Sequence, residues 1–171
     1  MEPGALALIV RQGAGFSRLQ RGVLQVTGSE ARSFLNGLLT NDLLSLSAGG
    51  ALYAALLNHH GRVLADLWVY DVGEGFLLDL EAAQRPKVLR LLQEARVSED
   101  VQLLDRSEDF IRLRLAGSLA QAVIRDSMSS APPDVGRWVE GPSCFLARTD
   151  HPIPLWHRPR VHLWRRHPQR P

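Results

Sequence analysis

The 171-residue sequence predicts an α+β fold, in which antiparallel hairpins build a sheet and helices cover one of its faces. Three observations carry this expectation. Short segments with apolar residues at alternate positions recur along the chain, turns of a few residues containing glycine join several of them, and between them lie stretches whose apolar residues recur at three and four.

Each element has its own justification. GVLQVTG, from Gly22, sets Val23 and Gln25 against Leu24 and Val26, is rich in β-formers and closes on a glycine, so it reads as a strand. Ser29 is placed to N-cap a helix whose apolar residues Ala31, Phe34, Leu35, Leu38 and Leu39 share one face, and which ends near the polar turn Thr40–Asp42. ALYAALLN and RVLADLWVYD are two strands joined through NHHG, the second with Val63, Ala65, Leu67 and Val69 on one face, and Gly61 suits the positive φ such a turn needs. DVGEG leads into FLLDLE as a second hairpin by the same logic. Gln84 to Ala95, with Pro86 in its first turn and Val88, Leu89, Leu91 and Leu92 as apolar positions, is a helix.

VQLLD and FIRLRLAG add two strands and SLAQAVIRD a short helix, giving the order β-α-β-β-β-α-β-β-α. SMSSAPPD reads as a loop and GRWVEGPSCFLAR as one or two short strands. In HPIPLWHRPRVHLWRRHPQRP, prolines at irregular spacing speak against a regular helix or strand. The expectation is therefore one α+β domain over residues 1–150 and an irregular basic tail rich in Pro, Arg and Trp, residues 151–171, outside the fold.

Composition narrows the function classes. The hydrophobic fraction of 45% and charged fraction of 22% are those of an ordinary globular chain. The formal charge of +2 is unevenly spread: WHRPRVHLWRRHPQR holds five arginines and no acid, and the rest of the chain is slightly acidic. Nucleic-acid binding is accordingly not expected of the body. The single Cys144 has no partner for an internal disulfide, the N-terminus lacks the basic region of a secretory signal, and no apolar run approaches membrane-spanning length. A cytoplasmic protein is the expectation.

LNHHGRVLADLWVY holds the residues that invite chemistry. A metal site at His59 and His60 is not expected, because neighbouring side chains in a strand diverge and a tight turn seldom converges them on one ion. The bland reading is a solvent-exposed turn.

Taken with its flanks, LxVxGxxAxxFLxxLLTND, then ALYAALLN, then GRVLADLWVY, the stretch resembles the N-terminal part of the folate-binding YgfZ/GcvT family. That family contains the T-protein aminomethyltransferases of the glycine cleavage system and YgfZ-type factors that assist iron–sulfur proteins. The resemblance implies a T-protein/YgfZ folate-binding fold, tetrahydrofolate as cofactor, and a pocket wall of Tyr53, Asn58, Asp66 and Tyr70. A carboxylate on a rigid strand can bond a pterin nitrogen or the folate amine, and tyrosines supply flat surface with a polar tip. Glu81 has positional support only, and Asn41 and Asp42 read as a turn rather than as ligands.

Ala65 stands where the T-protein branch carries a further aspartate. The K-G-C-[FY]-x-G-Q-E motif of the YgfZ branch is absent, and Cys144 reads as a small buried residue opening a strand. The resulting expectation is a truncated YgfZ-like accessory protein for iron–sulfur assembly or repair, with folate as ligand and iron–sulfur proteins as clients, and with catalysis not favoured. The alternatives are a T-protein-like aminomethyltransferase passing a one-carbon unit to tetrahydrofolate, and a non-catalytic interaction module with a vestigial pocket.

Overall fold

A computed structural model of the chain describes residues 13–128, 133–134, 137–141, 144–149 and 160–166. They fall into two compact units. The first, Gln20–Phe110, is a five-stranded antiparallel sheet in the order β3-β4-β5-β2-β6. Its strands are β2 (Arg21–Thr27), β3 (Ala51–Leu57), β4 (Val63–Asp71), β5 (Phe76–Glu81) and β6 (Gln102–Asp105); its helices are α1 (Ala31–Leu38) and α2 (Arg85–Ala95).

Alternation along the strands separates two faces. Leu24 and Val26 of β2, Ala65, Leu67 and Val69 of β4 and Leu78 and Leu80 of β5 join one apolar cluster with Phe34 and Leu35 of α1 and Val88 and Leu92 of α2. The face of β4 that the sequence marks as apolar is thus the one that packs on the helices, apart from the exposed Val63 at the strand's start. Tyr53, Asp66, Trp68, Tyr70 and Asp79 lie on the opposite face, as the pairings Tyr53↔Trp68 and Trp68↔Asp79 require.

The joint between β2 and α1 differs from its expected form. Ser29 does not cap the helix: its backbone N–H and hydroxyl both donate to Asp100 Oδ2, at 3.1 and 2.7 Å, and those bonds hold the Asp100 carboxyl below its usual range. Asp100 N–H in turn donates to Glu30 Oε2. Gly28 has φ +116°, and a Cβ there would stand 2.1 Å from the Asp100 carbonyl oxygen, so the close crossing needs glycine.

The second unit takes the described residues of Met1–Leu19 and Ile111–Pro171. Its sheet has the order β1-β7-β10-β9-β8, from β1 (Gly15–Leu19), β7 (Phe110–Ala116), β8 (Arg137–Gly141), β9 (Cys144–Thr149) and β10 (Arg160–Arg166), with helix α3 at Ala120–Met128. β10 departs from the irregular chain expected there. Between Pro159 and Pro168 the sequence is free of proline, which leaves room for one strand, and Arg160–Arg165 pairs antiparallel with Thr149–Cys144. Cys144 opens β9, as expected; its side chain, Trp156, and the histidines His151, His157 and His167 lie outside what is described.

Candidate functional site

The β3–β4 hairpin builds the candidate site. Its turn is held by Asn58, whose side-chain Oδ1 accepts from His60 N–H at 3.0 Å and Arg62 N–H at 2.9 Å, while its backbone carbonyl accepts from Gly61 at φ +75°. The turn sets the register Ala55↔Asp66, Tyr53↔Trp68 and Ala51↔Tyr70. Tyr53 and Asp66, thirteen positions apart, thereby become diagonal neighbours on one face.

Tyr53 Oη donates to Asp66 Oδ2 at 2.6 Å. Burial, followed by this bond and the nearby Asp66 charge, raises the Tyr53 phenol from 10.0 to about 12. The phenol is therefore a fixed donor at neutral pH. Asp66 is half-buried and makes no other hydrogen bond among the described residues, so Oδ1 remains able to accept from a ligand. Trp68 continues the row, its ring centroid 5.5 Å from Tyr53 and 6.5 Å from Tyr70, and Tyr70 is buried.

Of the residues singled out in the sequence, Tyr53, Asp66 and Tyr70 share a face, and Asn58 is committed through its carbonyl to the turn. Ala65 points the other way: it is 1% exposed within the helix-packed cluster. In this chain, alanine at 65 removes no carboxylate from the Asp66 face.

Sequence reasoning missed a second carboxylate. Asp79 of β5, fully buried, sits opposite Trp68 and accepts Arg21 Nε at 2.9 Å; Arg21 also donates through Nη1 to the exposed Glu81 at 3.1 Å. Arg21 works against the rise in the Tyr53 pKa, so its positive charge reaches the pair. The available signal was an aspartate inside the otherwise apolar FLLDL, since a charge in a buried strand is retained only with a partner.

His59 and His60 are exposed at the hairpin tip, with rings 3.8 Å apart, and no group of three or more metal-ligating side chains is assembled among the described residues. Asn41 and Asp42 form a turn, Asp42 Oδ1 accepting from Leu44 and Ser45 N–H. No helix among the described residues is long and apolar enough to cross a membrane.

An aminomethyltransferase of Xanthomonas oryzae pv. oryzae (strain PXO99A) is 35% identical over 156 residues, covering 83% of this chain and 42% of the relative. The chain thus spans less than half the length of that relative. The crystal structure of the glycine cleavage system aminomethyltransferase T from Bartonella henselae superposes with a TM-score of 0.81 at 22% identity, over 93% of this chain and 44% of that one. The heterotetrameric sarcosine oxidase of Corynebacterium sp. U-96 follows with 0.61, at 22% identity over 95% and 82%. The profile of the GCVT N-terminal domain matches residues 8–137, and the chain belongs to that family.

Proposed function

We propose that the Tyr53–Asp66 face binds tetrahydrofolate and that the chain supplies the folate-binding portion of an aminomethyltransferase-like protein. The observation that carries this reading is the 2.6 Å bond from Tyr53 to Asp66 Oδ2. It holds one carboxylate oxygen still, directs the other to a ligand N–H, and keeps a flat aromatic row alongside. A pterin offers both an N–H donor edge and a ring plane. Asn58, the fourth residue of the wall implied by the resemblance, contributes by shaping the turn and can still donate through its amide nitrogen.

The relatives' names favour transfer of a one-carbon unit over iron–sulfur assembly. The expectation against catalysis rested in part on Ala65, and its place in the helix-packed cluster removes that part alone. An accessory role would use the same folate face; transfer from an aminomethyl-lipoyl carrier distinguishes the two. Calorimetric titration with tetrahydrofolate tests the reading itself. Asp66→Asn is expected to weaken binding about 10- to 100-fold, the worth of a hydrogen bond to a charged group, with the melting temperature little changed. Equal affinity in the two proteins contradicts it.

A further inference from the structure

Among the described residues β3 is an edge strand, and what closes its edge is not another strand but residues 39–41, the first three of LTND. Thr40 N–H donates to the Ala55 carbonyl at 3.0 Å, and Ala55 N–H donates back to Thr40 Oγ1 at 2.9 Å. Asn41 Nδ2 donates to the Tyr53 carbonyl at 2.9 Å, and Leu39 makes a bridge with Leu56. These bonds take up the outward N–H and C=O of Ala55, the residue directly across from Asp66, and the outward C=O of Tyr53 itself. An unclosed edge would leave those groups to water or to another chain's strand.

The closing segment is itself fastened from behind. Asn36 Oδ1 accepts Leu43 N–H at 2.8 Å, and Arg32 Nη1 donates to the carbonyls of Leu43 and Leu46 while its Nη2 pairs with buried Asp71. Thr40 and Asn41 are exposed, so no burial of their own side chains accounts for these bonds.

We infer that Thr40 and Asn41 are positioning residues, which fix the edge strand so that the Tyr53 hydroxyl stays on Asp66 Oδ2 and the ligand-facing oxygen keeps its direction. The inference rests on the folate reading for its consequence in binding, but the Tyr53–Asp66 bond can be followed without any ligand.

The test uses the full chain labelled with 13C at the tyrosine ring carbons. The sequence has two tyrosines, and Tyr70→Phe assigns their signals. In Asn41→Ala the Tyr53 titration midpoint is expected to fall below about 12 as the bond to Asp66 loosens, the larger part due to burial remaining, and tetrahydrofolate affinity to drop about 5- to 10-fold, with an almost unchanged melting temperature. Thr40→Val, which keeps the shape and removes the acceptor for Ala55 N–H, is expected to move both readouts in the same direction by less. Folded variants that both retain the wild-type Tyr53 titration overturn the inference. Failure of the unaltered chain to bind tetrahydrofolate overturns the proposed function instead, and the Tyr53 titration still decides the positioning role.

Discussion

The two faces of the β3-β4-β5-β2-β6 sheet are made by the same strands and do opposite things. Along β4, Ala65, Leu67 and Val69 enter the helix-packed cluster, and the residues between them, Asp66, Trp68 and Tyr70, make the polar and aromatic face. One step in sequence separates a core residue from a candidate ligand. A slip of one residue in register would exchange the two sets, so the turn held by Asn58 protects the candidate site as well as the fold.

The adjacent pair Leu67 and Asp66 should separate the faces most sharply. Leu67→Ala deletes a fully buried side chain between sheet and helices and is expected to cost about 2–5 kcal/mol, read by denaturant unfolding. Asp66→Ala is expected to cost about 1 kcal/mol, the net worth of one hydrogen bond, while lowering folate affinity. Comparable losses of stability from the two would break the distinction between a packing face and a binding face.

A smaller effect appears at alkaline pH. The Tyr53 phenol holds its proton more tightly in the folded chain than in the unfolded one. The associated stability is fully present below about pH 10 and is lost as pH rises through about 12. Tyr53→Phe should flatten that part of the stability profile, measured by unfolding across pH 9 to 12, roughly the span that brackets both values. The smallest effect is expected at the hairpin tip. His59→Ala and His60→Ala should each change stability by no more than about 0.5 kcal/mol and leave folate affinity alone, as the exposed tip residues are not on the Asp66 face.

Much of this organisation was legible in the sequence because it is local. Alternation in RVLADLWVYD identifies which residues of β4 share a face, and glycine in NHHG and DVGEG marks where the chain reverses. Tyr53 and Asp66 were singled out by the resemblance of the hairpin to the family, and their bond to each other depends on the register that the turn sets. What escaped depends on contacts distant in sequence. Arg21 and Asp79 are 58 positions apart and meet only through the β2–β5 register. Asp100 takes the hydroxyl that Ser29 would have turned to its own helix, a competition invisible in the local pattern. β10 was hidden by the prolines on either side of it, which dominate the composition of the tail although none falls within Arg160–Arg166.

The measurement that bears most directly on the central claim follows the tyrosine ring carbons of the intact chain while tetrahydrofolate is added. The account predicts a saturable shift of the Tyr53 signal with the same binding constant that calorimetry gives, abolished or strongly weakened by Asp66→Asn. A Tyr53 signal that stays in place while calorimetry reports saturation would put the ligand elsewhere and contradict the account.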